Sequence, residues 1–133
     1  MEPQLFFEAT LPWPPTVNTY WRHKVTNRFA TVYVSAEGKA YRKAVNLCLI
    51  ELGIKTYALE QDLRVEIEVF PPDRRKRDLD NLLKSLLDAL THAQVWQDDS
   101  QISDLRIFRN KQIGGMVKVR VYEASENAQQ GTL

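Results

Sequence analysis

The chain has 133 residues, 44% apolar and 26% charged, which fits one compact domain with a modest core and excludes fibrous and intrinsically disordered classes. Its formal net charge of +1 excludes a uniformly basic nucleic-acid binder and turns attention to local charge. One cysteine, Cys48, and two histidines, His23 and His92, exclude an internal disulfide and the usual structural zinc sites.

Met1-Glu2-Pro3-Gln4 lacks the basic start and apolar stretch of a signal peptide, and no apolar run is long enough to cross a bilayer; the lone Cys48, which cannot make an internal disulfide, fits a reducing cytoplasm, where the protein is expected. Leu5 to Ala9 reads as a first strand, and Leu11-Pro12-Trp13-Pro14-Pro15 as a break, because proline fixes φ and offers no backbone donor. Ala30 to Val34 is β-branched and aromatic, hence a second strand. Ser35 is placed to cap a helix from Ala36 to Leu52, whose stripe is Tyr41, Ala44, Val45, Cys48, Leu49 and Leu52, with Gly53 as its stop. Leu63 to Phe70 alternates as a half-buried strand, and Pro71-Pro72 ends it. A second helix from Leu79 to Ala93 carries Leu79, Leu82, Leu83, Leu86, Leu87 and Leu90 along one face. Leu105 to Arg109 and Met116 to Tyr122 read as a hairpin turning near Gly114-Gly115. The expected order is β-β-α-β-α-β-β, an α+β two-layer sandwich of a mixed β-sheet and two helices. A single domain over residues 1–123 is expected, with a polar, frayed tail over 124–133.

Charge is distributed unevenly. Tyr20 to Lys43 holds six Lys or Arg residues and one acid, and Pro71 to Arg77 holds four bases and one acid. The second run, Arg74-Arg75-Lys76-Arg77, leads directly into Asp78-Leu79-Asp80-Asn81. In extended chain Asp78 and Asp80 would point the same way, and such a pair of hard oxygen donors suits Mg²⁺. Lys84 follows Asp80 by one helical turn, off the leucine stripe, and Asp88 follows Lys84 by another. Asp98-Asp99 forms a second acidic pair, with Asp99 nineteen residues after Asp80. For Asp99 to join Asp78 and Asp80, either a return segment or a dimer partner must supply the approach.

Each feature also has an ordinary structural reading. Asp78 suits a helix N-cap, Asp80 and Lys84 an exposed i,i+4 pair, and Asp98-Asp99 a turn. Together, acids set directly after a basic run match what phosphodiester cleavage needs: bases for backbone phosphates, and carboxylates for the metal. Trp13, Trp21 and Trp96 are expected in the core or at a dimer interface rather than stacked on bases. Trp13 and Phe70 are the aromatics expected to be exposed enough for an interface. Cys48 is expected in the core and His92 on the surface.

The stretch Arg77-Asp78-Leu79-Asp80-Asn81-Leu82 with Lys84, then Asp88-Ala89-Leu90 and Trp96-Gln97-Asp98-Asp99, closely resembles the RusA family of Holliday junction resolvases. Leu11-Pro12-Trp13-Pro14-Pro15 with Asn18, and Val34-Ser35-Ala36-Glu37-Gly38 with Ala40-Tyr41-Arg42, extend the resemblance over roughly Phe6 to Glu123. The segment His23 to Thr31 departs from the family pattern, being longer and differently composed. The resemblance implies metal-binding aspartates at Asp78, Asp80 and Asp99 and a catalytic lysine at Lys84. It also implies Mg²⁺ or Mn²⁺ as cofactor, and a homodimer that nicks two opposed strands of a four-way DNA junction. Such proteins are often encoded by phages or prophages. Arg74, Arg75, Lys76 and Arg77 are then expected to grip the DNA backbone. A non-catalytic module for branched DNA and a flap or fork nuclease are the alternative expectations.

Overall fold

The computed structural model describes residues 4–54 and 58–124. Its elements in chain order are β1 (Leu5–Pro12), α1 (Val17–Tyr20), β2 (Trp21–Thr26), β3 (Phe29–Val34), α2 (Ala36–Glu51), β4 (Leu63–Phe70), α3 (Asp80–His92), a 3-10 turn (Asp99–Gln101), β5 (Ile102–Arg109) and β6 (Met116–Glu123). The main sheet has the order β1-β6-β4-β5, and β2 and β3 form a separate two-stranded ribbon. The α+β architecture with a mixed sheet matches the expectation from sequence.

β4 is the centre of the structure. Leu63, Val65, Ile67 and Val69 are buried in the core shared with α2 and α3. The alternate residues Arg64, Glu66 and Glu68 face the other side, where Arg120 of β6 bridges Glu8, Glu66 and Glu68 at 2.8, 3.4 and 3.1 Å. The period of two that marks the strand in sequence therefore separates an apolar layer from an ion network. On the helices, Tyr41, Val45 and Leu49 of α2 and Leu82, Leu86 and Leu90 of α3 are buried, as their 3.6-residue spacing requires. Cys48 packs at the core's edge, where burial pushes its thiol pKa up. Leu52, placed on the stripe from sequence, is instead exposed beyond the helix end. Gly53, at φ +70°, closes α2 as expected: Ile54 N donates to Leu49 O and Gly53 N to Ile50 O.

Four expectations are corrected. β1 does not break before Pro12, because it is an edge strand and an edge tolerates a residue without a donor. β2 is an addition to the expected order: Trp21–Thr26 has no clean apolar alternation, and its turn at Asn27 and Arg28, φ 49° and 74°, uses no glycine. β5 and β6 do not form a hairpin. β5 pairs with β4 in parallel, with α3 as the crossover, while β6 pairs antiparallel with β4 on its other side and with β1. The 110–115 connection crosses the end of β4, held by Asn110 N on Val69 O and by Gly115 N on Phe70 O. Phe70 is buried rather than free for an interface.

Of the expected polar tail, Ala124 is buried, with its N–H on Asp62 O at 3.0 Å; residues 125–133 lie outside the described residues.

Candidate active site

Pro71 and Pro72 end β4, and the chain then turns around Asp73. The Asp73 carboxylate accepts from Arg75 N at 2.9 Å and from both terminal nitrogens of Arg77, at 2.5 and 3.0 Å, with Arg75 Nε at 3.2 Å. The Arg77 guanidinium, then the Arg75 amide, hold the Asp73 carboxyl well below the usual carboxylate range. Arg77 is fixed further: its guanidinium lies 5.9 Å from the Trp13 ring centroid, and its carbonyl accepts from Arg109 at 2.6 Å. Of the four bases expected to grip DNA, Arg75 and Arg77 are thus tied to Asp73, while Arg74 and Lys76 are exposed and make no ion pair among the described residues. A depression of about 400 Å³ opens between Trp13, Pro71 and this run, with Arg109 on its wall. The Trp13 side is anchored through Ser85, buried in α3, whose hydroxyl donates to Pro15 O at 2.5 Å.

The run delivers Asp78 and Asp80 to the start of α3. Leu79, not Asp78, is the N-cap, and no side chain caps the helix. Leu79 already has helical angles, φ −66° and ψ −35°, so the extended Asp78–Asp80 stretch read from sequence is not what forms. Both carboxylates are exposed, and neither makes a hydrogen bond or ion pair among the described residues. Two uncompensated carboxylates at the positive end of a helix dipole form an anionic, oxygen-only donor set.

Lys84 does not close an ion pair with Asp80. Its ammonium sits 5.0 Å from the Trp21 ring centroid, and Trp21 in turn packs on Tyr20 at 4.2 Å. Tyr20 is buried and donates its hydroxyl to Asp88, while Arg42 of α2 binds the Tyr20 oxygen and the Asp88 carboxylate, both at 2.8 Å. Burial and the Asp88 carboxylate push the Tyr20 pKa up, so the phenol stays protonated. Sequence reasoning does not single out Tyr20, Trp21, Arg42 or Asp88 as functional. The available signal is Asp88 itself, an acid off the leucine stripe one turn after Lys84.

Asp99 begins the 3-10 turn that packs against α3. Gln101 clamps this turn: its side-chain oxygen accepts from Gln97 N and Asp98 N, both at 2.9 Å, and its amide donates to Leu59 O and Gln61 O. Partial burial, then Asp98 beside it, then Asp88 raise the Asp99 pKa, while Ser100, at 2.6 Å, lowers that of Asp98. The turn that carries Asp99 packs on α3, and Asp88, the helix acid that acts on Asp99, is about 12 Å along the helix from Asp80 at 1.5 Å per residue. Among the described residues no three His, Cys, Asp or Glu side chains come together as a metal-binding group. One chain joins Asp78, Asp80 and the basic run in one region, and among the described residues Asp99 does not complete a three-acid group with them. Of the tryptophans, Trp96 is buried as expected, its indole N–H on Thr91 at 2.6 Å, and Trp13 and Trp21 are half-buried, packed against the core as expected while also meeting Arg77 and Lys84.

Residues 12–122 match the family model described as endodeoxyribonuclease RusA. The chain is 38% identical over 118 residues, 88% of its length and 94% of the relative's, to the crossover junction endodeoxyribonuclease RusA of Enterobacteria phage HK97. It is 47% identical over 103 residues, 77% of its length and 82% of the relative's, to the crossover junction endodeoxyribonuclease RusA of Escherichia coli (strain K12). The protein of that name from Enterobacteria phage 82 is 46% identical over the same shares. Phages thus supply two of these relatives, as the resemblance implied. The matched span contains the basic run, both acidic pairs and Lys84, and the chain belongs to the RusA family of endodeoxyribonucleases.

Proposed function

We propose that this protein is a divalent-metal-dependent endodeoxyribonuclease that resolves four-way (Holliday) DNA junctions by paired, symmetric nicks. The observation that carries the reading is the exposed, uncompensated pair Asp78 and Asp80 at the start of α3, directly after the basic run, in a chain of an endodeoxyribonuclease family. The donor set fits Mg²⁺, which takes one or two carboxylates and completes its octahedron with water and phosphate oxygen; Mn²⁺, with the same preference for oxygen, substitutes. When bound, the cation supplies a hydrolytic water near neutral pH and offsets charge at the phosphate. Asp78 and Asp80 hold it. Lys84, supported on Trp21, faces the scissile phosphate and offsets the charge that builds in the transition state. Arg74 and Lys76 bind the flanking backbone directly, and Arg75 and Arg77 do so while shared with Asp73.

Asp99 enters this reading through a second copy. A four-way junction has two-fold symmetry and needs two cuts, so a closed two-fold dimer presents two sites in fixed relation. In that dimer Asp99 of the partner subunit completes the Asp78–Asp80 pair. A cytoplasmic site of action belongs to this reading and is supported by the DNA substrate it assigns.

The test is metal-dependent cleavage of a synthetic four-way junction beside Asp80→Asn. Paired nicks are expected from the wild type. The variant loses cleavage and binds the junction as well or more tightly, because one repulsive charge beside DNA is gone. A wild-type rate in the variant overturns the metal assignment. Binding by the wild type without cleavage marks a non-catalytic module, and preference for flaps or forks in a substrate panel marks a different nuclease.

A further inference from the structure

The β2–β3 ribbon stands apart from the rest of the fold. Every residue from Arg22 to Tyr33 is exposed, and among the described residues β2 and β3 pair only with each other. An isolated two-stranded ribbon is marginal in water, so one this long without a second layer is built to meet something. Its register says what. Trp21, His23 and Val25 lie opposite Val34, Val32 and Ala30, and Arg22, Lys24 and Thr26 lie opposite Tyr33, Thr31 and Phe29. Cross-strand partners share a face. One face is therefore apolar apart from His23, and the other carries Arg22 and Lys24 flanked by the exposed rings of Tyr33 (47%) and Phe29 (74%). Arg28 adds a third cation at the turn, and the segment from Trp21 to Val34 has no acid. None of Arg22, Lys24 and Arg28 makes an ion pair among the described residues.

We infer that this ribbon is a DNA-binding arm that lies along a duplex arm of the branched substrate, with the Arg22–Lys24 face on the phosphates. The inference rests on the reading that the protein binds branched DNA and deepens it by assigning a second DNA-facing surface. Charge complementarity selects the occupant: a face with cations and no acid fits a polyanion, while a second copy brought to it would set like charges together. Size agrees, since the major groove admits a two-stranded ribbon and six residues per strand reach about 20 Å. Continuity with the cleavage region is direct. Trp21, at the root of β2, packs beneath Lys84, so a duplex cut beside Asp80 and Lys84 continues onto the arm.

The test measures affinity for a synthetic four-way junction against salt concentration with the full chain. Two variants are compared with the wild type: Arg22→Ala/Lys24→Ala/Arg28→Ala, and Val25→Thr/Val32→Thr on the opposite face. All five residues are exposed, so neither set disturbs the core. Each cation removed from a DNA phosphate flattens the log–log salt slope by about 0.9, so the basic-face variant is expected to flatten it by about 1 to 3, with weaker binding. The Val25/Val32 variant is expected to keep the wild-type slope. An unchanged slope in the basic-face variant overturns the arm while leaving junction binding intact. So does weakened self-association in the Val25/Val32 variant combined with that unchanged slope, which marks the arm as an interface between copies. A wild type without affinity for branched DNA overturns the arm and the proposed function together.

Discussion

Asp73 decides how much of the basic run is free of an intramolecular partner. Read from sequence, Arg74 to Arg77 looks like four equivalent cations, with one acid before them. In the structure that acid takes two of them, and the result is a braced turn rather than a loose basic strand. Asp73→Asn weakens this clasp, leaves Arg75 and Arg77 freer, and removes a negative charge from the side proposed to face DNA. Junction affinity is expected to rise and the salt slope to steepen, by up to about 0.9 for each arginine recruited; binding isotherms across salt concentrations check this. The clasp also has a pH signature. Because the folded-state Asp73 carboxyl is depressed, its stabilisation is fully present above the unfolded carboxylate value of about 3.9 and is lost only as pH falls through the folded value. Acid unfolding of Asp73→Asn lacks that contribution, so wild type and variant, compared by circular dichroism, converge at the acid end. Asp78 shows the same gap between residue type and role: an acid just ahead of a helix suggests a cap, yet its carboxylate caps nothing.

The joint between α1 and α2 is the element on which the site's supports depend. Ser35 caps α2 by accepting from Gly38 N at 3.0 Å, donates its hydroxyl to Thr19 O, and sends its own N–H to Tyr20 O at 2.8 Å. The cap is legible from sequence, because a serine before a helical stripe has one common purpose. The need for glycine at position 38 is not. A Cβ there would lie 2.6 Å from Tyr20 O and 2.7 Å from a Val34 methyl, so glycine lets α2 approach the Tyr20 turn closely. Gly38→Ala forces backbone or side chain to move in a buried joint and is expected to destabilise by about 1–3 kcal/mol, seen as a lower Tm. The displacement passes through Tyr20 to Trp21 and the seat of Lys84, so cleavage at permissive temperature should fall as well. The placement of β5 and β6 belongs to this scale too. Two strands separated by a glycine pair look like a hairpin, but β4, as a buried strand, takes one neighbour on each side.

At the scale of the whole molecule, the lack of a three-acid group of Asp78, Asp80 and Asp99 within one chain, among the described residues, gives the proposed dimer a chemical purpose. The Gln101 clamp ties the turn that carries Asp99 to the 59–61 segment, and among the described residues that turn does not bring Asp99 into a three-acid group with Asp78 and Asp80. A site shared between copies predicts complementation. Asp80→Asn and Asp99→Asn are each expected to be inactive alone. After dissociation and random reassociation, half of the dimers are mixed, and each mixed dimer holds one wholly wild-type site, so roughly a quarter of wild-type sites return. Those mixed dimers nick a junction once, which a cruciform plasmid reports as open circles rather than linear product. No recovery on mixing places all three ligands in one chain and removes the need for the partner.

What the sequence alone determined rests on local physics. Amphipathic periods marked α2, β4 and α3, a capping serine and a stop glycine bounded α2, and the clustering of acids after bases marked the candidate site. These features depend on a few neighbouring residues and survive without any knowledge of the fold. The tertiary structure alone decided that β5 and β6 flank β4, that Trp21–Thr26 joins Phe29–Val34 as a free ribbon, that Asp73 claims two of the four bases, and that Asp99 completes no three-acid group with Asp78 and Asp80 among the described residues. Each of these is set by interactions between groups that spacing does not relate: strand neighbours chosen by burial, cations shared by geometry, and a turn positioned by hydrogen bonds from a segment some forty residues earlier.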